Sequence, residues 1–175
     1  MKAINYAKSK IAIFIFLTTF FLGSCGYRTV THSSIIDSIK TVYIEIPKNS
    51  TSDKSLSQYL QKAIIDELKT HNIKVVQQKS QAQGYIETNI THYSLDASLF
   101  DKEGLPIIYR CTITVNLTLK NKDGKALISN KTLTSFEDFR ASNIEDAIKT
   151  ANSLLIQKVL NRLAVLIRED LFVNF

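Results

Sequence analysis

Between residues 107 and 120 apolar and polar positions alternate: Ile113, Val115, Leu117 and Leu119 against Thr112, Thr114, Asn116 and Thr118. A period of two marks a strand with one dry face, and here the wet face carries no charge. Upstream, 41–46 reads as a first strand stopped by Pro47, which has no N–H to give a ladder. A polar loop over 48–54 follows. The period then changes. Leu56, Leu60, Ala63, Ile64 and Leu68 form one helical stripe, with Ser55 and Gln58 as a capping box and Lys62 one turn from Asp66 on the wet side. The helix ends at 70–72. A short strand is expected over 73–78 and a longer one over 85–95. In the longer strand the apolar register moves from Ile86 and Ile90 to Tyr93 and Leu95, as a bulge would make it do. A turn at 100–106 contains Gly104. At 121–125 Asp123-Gly124 suits the positive φ of a hairpin turn, and 126–136 returns as the partner strand.

The last element is a long helix. Ser142 and Glu145 are placed as its capping box, and Ile144, Ile148, Ala151, Leu155 and Val159 as the face toward the sheet. Beyond Ala151 the apolar arc widens through Leu154, Ile156, Leu160, Leu163, Leu166 and Ile167, and 171–175 is apolar too. Either this helix is pinched between the sheet and the first helix, or part of it meets another protein. The order is strand–helix–four strands–helix. A right-handed crossover through 56–68 makes its two strands parallel, and the later strands form an antiparallel meander. The expected fold is an α+β two-layer domain: a mixed, mostly antiparallel sheet of four to five strands with two helices on one face. The Thr/Asn face is left open or covered by a partner.

The first ten residues carry Lys2, Lys8 and Lys10 and no acid, and 11–22 is apolar. That run is shorter than the ~20 residues of a spanning helix. With Leu22-Gly23-Ser24-Cys25 behind it, 1–24 reads as a secretory signal; a plain signal or a short anchor helix are the alternatives. Small residues before a Cys resemble the lipobox of bacterial lipoproteins, which implies cleavage before Cys25 and a covalent lipid on it. Residues 25–39 are then a lipidated tether and 40–175 a single domain. By the same resemblance, Gly26 after the Cys directs the protein to the outer membrane.

The formal charge of +6 falls to +3 once the three signal lysines are removed. No dense Lys/Arg run remains, so nucleic acid is a poor partner. Cys111 lies in the dry register of its strand and reads as a small buried hydrophobe. His32, His71 and His92 are scattered without metal-ligand spacing. Asn49, Asn89, Asn116 and Asn130 open Asn-x-Ser/Thr triplets, but Asn89 and Asn116 fall within expected strands, a poor place for a glycan. Five glycines supply no phosphate loop, and no nucleophile elbow is present. Asp66-Glu67 and Glu137-Asp138 read as solvated surface. No enzyme, cofactor or metal is expected. Two surfaces stand out. Lys120, Lys122, Lys125 and Lys131 gather round one hairpin, with Arg110 on the strand before it. Such a group can hold phosphates or merely solubilise a hairpin tip. The uncharged face of Thr112, Thr114, Asn116 and Thr118 carries fewer Lys and Glu than a free sheet face usually does.

Cys25-Gly26-Tyr27 opens the expected mature chain, 42–51 runs Val-Tyr-Ile-Glu-Ile-Pro-Lys-Asn-Ser-Thr, and 109–117 leads into Asp123-Gly124-Lys125-Ala126-Leu127. This order resembles the outer-membrane lipopolysaccharide-assembly lipoproteins, the LptE family, over most of 25–140. The chain departs from the family pattern in having Lys48 where a Phe is common and in lacking an Arg-Gly soon after Tyr27. The resemblance implies a non-catalytic plug in the lumen of a large outer-membrane β-barrel (LptD-like) that helps pass lipopolysaccharide to the outer leaflet from the periplasmic side. It implies lipopolysaccharide binding by basic residues, for which Arg110, Lys120, Lys122, Lys125 and Lys131 are the candidates. Thr112, Thr114, Asn116 and Thr118 are the candidates for the barrel contact. The rival is an outer-membrane lipoprotein that activates a peptidoglycan synthase; such proteins usually have a longer tether than 26–38, which argues against it.

Overall fold

Residues 39–172 are described by the computed structural model. The expected signal, Cys25 and the tether up to Ser38 lie outside them. Strand β1 (Thr41–Ile44) and the two-residue β2 (Lys48–Asn49) precede helix α1 (Leu56–Thr70) and the short β3 (Lys74–Val75). A 3₁₀ turn (Lys79–Gln81) leads into three long strands, β4 (Gly84–Phe100), β5 (Pro106–Asn121) and β6 (Ala126–Arg140). Helix α2 (Ile144–Thr150), a π-helical turn (Ala151–Leu155) and α3 (Ile156–Phe172) complete the order.

The sheet runs β3-β1-β4-β5-β6, with β2 also paired to β4. β1 is parallel to both β3 and β4, and β2 is parallel to β4; β4, β5 and β6 form the antiparallel meander. The fold is α+β, and its six strands exceed the expected four to five for a local reason. The strand expected over 41–46 breaks at Ile44. Pro47, without an N–H, sits in the gap, and pairing resumes at Lys48 against Asn89. In β4, Thr91 is the extra residue between Ile90 and His92, and this bulge moves the dry register to Tyr93 and Leu95.

Helices α1 and α3 cover one face. β5 contributes Cys111, Ile113, Val115, Leu117 and Leu119 to the core, and α1 contributes its full stripe Leu56, Leu60, Ala63, Ile64 and Leu68. α3 buries Val159, Leu160, Leu163, Ala164, Ile167 and Leu171 and packs on both α1 and β6. Most of its broad apolar arc is thus buried within the domain, but Leu154, at 79% exposure, and Phe172 stay outside the core. Arg168 Nε also donates to Glu67 Oε1 at 2.7 Å, tying α3 to α1.

Three local expectations are corrected. Ile144 and Ile148 point outward, and Ala147 and Ala151 take the inner positions. The π turn adds a residue to one turn and rotates the stripe by that amount. The cap of α2 sits one residue later than expected. Asn143 Oδ1 accepts the Asp146 N–H at 2.9 Å, and Asp146 Oδ2 accepts the Ser142 N–H at 3.0 Å. At α1, Ser55 makes no side-chain cap; its N–H and hydroxyl both donate to Asp53 Oδ1, at 3.0 and 2.6 Å. Asp residues favour such turns two residues on.

Candidate functional site

The strand period leaves every second residue of β4, β5 and β6 on the face away from the helices, where register sets them in rungs. Arg110 lies between Asp96 and Asp138, Thr112 between Ser94 and Phe136, Thr114 between His92 and Thr134, and Asn116 between Asn89 and Thr132. The rungs bond among themselves. The Thr114 and Thr134 hydroxyls are 3.0 Å apart, Thr132 Oγ1 donates to Asn116 Oδ1 at 3.1 Å, and the Asn130 N–H donates to Thr118 Oγ1 at 3.1 Å. Asn130 adopts φ 50°, the left-handed conformation Asn tolerates. It sits where the β5–β6 register shifts between Leu117 and Leu119.

Charges appear only at the two ends of this face, and one cation at each end is held in an ion pair, while Asp96 and Arg140 have no ion-pair partner among the described residues. Arg110 donates from Nε and Nη2 to the two oxygens of Asp138, at 2.7 and 2.8 Å, and its guanidinium lies 4.2 Å from the centre of the Phe136 ring. The hydrogen bond from Arg110 holds the Asp138 carboxyl below the usual carboxylate range. At the other end Lys120 Nζ donates to both oxygens of Glu87, at 2.7 and 2.8 Å. Between the pairs the surface is mainly hydroxyls and amides, with the Phe136 ring and the His92 imidazole among them. A shallow hollow of about 160 Å³ opens here beside Lys48, Asn89, Asn116 and Asn130. Asn89 Oδ1 is shut from solvent without a hydrogen-bond partner.

The five basic candidates do not converge. Arg110 and Lys120 are ten residues apart on one strand, about 33 Å at the usual rise, and Arg110 is engaged with Asp138. Lys131 registers with Leu117 and therefore faces the helices, where its Nζ is 2.5 Å from Asp170 Oδ1. Lys122 and Lys125 stand exposed on the turn with no ion-pair partner among the described residues. The hairpin thus brings together Lys120, Lys122 and Lys125. Phe136 and Glu87, which help order this face, were not singled out from the sequence, and Asp138 was read there only as solvated surface. Extending the period-two register of β6 past 136 would have placed Asp138 opposite Arg110.

Nothing nucleophilic accompanies these surfaces. Cys111 is buried and burial pushes its thiol up to about 11. Burial also raises the Tyr93 phenol to about 12. Among the described residues no three metal-ligating side chains come together.

A two-layer α+β domain built on a long three-stranded meander is an architecture found in solved bacterial lipoproteins. The structure is similar to a minor lipoprotein from Acinetobacter baumannii (TM-score 0.51, 14% identity, 75% of this chain and 90% of that one). It is also similar to lipoprotein B from Nitrosomonas europaea (TM-score 0.53, 15% identity, 74% and 79%). A third similar structure is the rare lipoprotein B from Shewanella oneidensis (TM-score 0.51, 12% identity, 74% and 91%). At such identities these establish the fold. The family model described as LptE, lipopolysaccharide-assembly, matches residues 39–163, and the chain belongs to that family of assembly lipoproteins. No curated protein matches the sequence.

Proposed function

We propose that this protein is the non-catalytic, lipid-anchored partner of a large LptD-like outer-membrane β-barrel. Cys25 carries the lipid, the outer face of β4–β6 seats against the polar wall of the barrel lumen, and the β5–β6 hairpin receives phosphates of lipopolysaccharide. The outer face carries this reading. Leaving water with an unpaired charge is costly, whereas hydroxyls and amides can exchange water for a partner's polar groups at little net change. A face whose centre is Thr112, Thr114, Asn116 and Thr118, and whose Arg110 and Lys120 are already neutralised by Asp138 and Glu87, meets that requirement over its central rungs. Family membership supplies the lipopolysaccharide context. Because Arg110 and Lys131 are held in ion pairs, the phosphate-binding role narrows to Lys122 and Lys125, with Lys120 behind them.

Affinity capture from solubilised outer membrane, with the captured protein weighed, tests the partner. A large barrel is the expected result, and capture of a cell-wall synthase would replace the proposal. For the lipid, Lys122→Glu/Lys125→Glu should weaken lipopolysaccharide binding and spare barrel capture; undiminished lipopolysaccharide binding rejects the hairpin.

A further inference from the structure

We infer that, in the chain not yet joined to a barrel, the end of the domain where the chain arrives from Cys25 is a seat for an anionic phospholipid surface, which Lys122 and Lys125 leave when they take up lipopolysaccharide. The inference rests on acylation of Cys25. Ile39, the first described residue, is buried beside Gly84, and Gly84 registers with both Val42 and Asn121. The chain therefore enters at the same end as the β5–β6 turn. α1 returns to that end as well, because Ile73 closes its last turn through a 3.0 Å bond to Leu68 O, and Lys74 pairs with Thr41.

Five lysines gather there: Lys40, Lys69, Lys74, Lys122 and Lys125. None has an ion-pair partner among the described residues. The nearby acids are nearly all engaged: Glu87 with Lys120, Asp170 with Lys131, Glu67 with Arg168. Among the described residues Asp123, held by Asn121 Nδ2 at 3.2 Å, is the exception. The opposite end is close to balanced, with Asp101 and Glu103 beside Lys102 in the β4–β5 turn and Glu145 and Asp146 beside Arg140 and Lys149 at the start of α2. The domain is charge-polarised along its strands.

From β3 to the β5–β6 turn the lysines are spread over four strand spacings, about 19 Å. Cations dispersed so widely fit a plane of headgroups, not one phosphate group. The thirteen residues between Cys25 and Ile39 extend no further than ~47 Å, so an acylated Cys25 keeps this end at high local concentration over its leaflet. Attraction of the basic end, with no comparable excess of cations at the far one, then holds the strands upright from that surface.

The test uses the acylated full-length protein in nanodiscs of phosphatidylglycerol with phosphatidylethanolamine, and in discs of phosphatidylcholine alone. Backbone hydrogen exchange is read over 71–75 and 121–125. Exchange of both segments should slow several-fold in the anionic discs only, and the difference should vanish in high salt and in Lys69→Glu/Lys74→Glu. Equal exchange in the two discs, with acylated protein recovered in both, overturns the orientation alone. Absence of the acyl mass on Cys25 overturns the anchor and the orientation together. If Lys69→Glu/Lys74→Glu abolishes lipopolysaccharide capture, these lysines belong to a lipopolysaccharide site and the phospholipid seat is wrong.

Discussion

A Cβ built on Gly84 would lie 2.8 Å from Ile39 Cγ2 and 3.6 Å from Leu119 Cδ1. Glycine is required there by close approach, since the first described residue packs directly onto the strand. Ile39 is beta-branched and stiff at χ1, so it has little room to yield. Gly84→Ala should therefore destabilise the domain by about 1–3 kcal/mol, read as a lower urea midpoint at unchanged slope. Lys131 gives a second test at this scale. Its Nζ neutralises an Asp170 side chain that is only 12% exposed and whose Oδ2 has no hydrogen-bond partner. Removing that cation leaves a largely buried carboxylate alone. Lys131→Ala should cost about 1–2 kcal/mol, toward the low end for charged hydrogen bonds because Lys131 itself is partly in water. Lys122→Ala and Lys125→Ala should leave the same urea curve unmoved. Equal effects at the three sites would mean that Lys131 is as peripheral as the sequence placed it.

Among the elements, the start of α2 is held by reciprocal bonds between Asn143, Asp146 and Ser142. Asn143→Ala removes the cap and should cost about 1 kcal/mol, measured by thermal unfolding. The backbone N–H and the hydroxyl of Ser142 both donate to Asp146 and hold its carboxyl below the ordinary 3.8. A carboxylate lowered by folding contributes stability that is fully present above its unfolded value and is lost as pH falls through the lower folded one. Acid should therefore loosen α2 below about pH 3.8, and Asp146→Asn should flatten that part of the pH–stability curve. This region also marks where sequence reading stops. α1 and β5 were legible because their stripe and alternation are uninterrupted, and the irregularity in β4 because its apolar register shifts between Ile90 and Tyr93. The cap at Asn143 was missed by one position because Ser142-Asn143 offers two capping residues and Glu145-Asp146 two acids to answer them. The outward turn of Ile144 and Ile148 could not be read, because a π turn changes the helical period and leaves the composition untouched. The candidate site was half legible. Alternation fixed which β5 residues face outward, but the partners Glu87, Asp138 and Asp170, which decide which cations remain free, depend on register across strands distant in sequence.

At the scale of the molecule, the helices and sheet form a finished core on one side only. Leu163, Ile167, Ile113 and Leu117 are fully buried without any partner chain. The other side is a sheet face whose neutral centre neither needs a partner for stability nor repels one. Stability and docking are therefore separable in this fold, which allows a clean test. Thr114→Glu places one charge in the middle of the outer face, where His92 and Thr134 are its register neighbours. In the free domain that glutamate stays in water, and the unfolding midpoint should move by no more than about 0.5 kcal/mol equivalent. Against a barrel wall it must be desolvated without a matched cation, which costs several times more. The expected outcome is normal folding, normal recovery with membranes and a loss of barrel capture, with Thr114→Ser retaining capture because it keeps the hydroxyl that meets Thr134. If Thr114→Glu captures the barrel as well as the parent chain does, the outer face is not the proposed barrel contact.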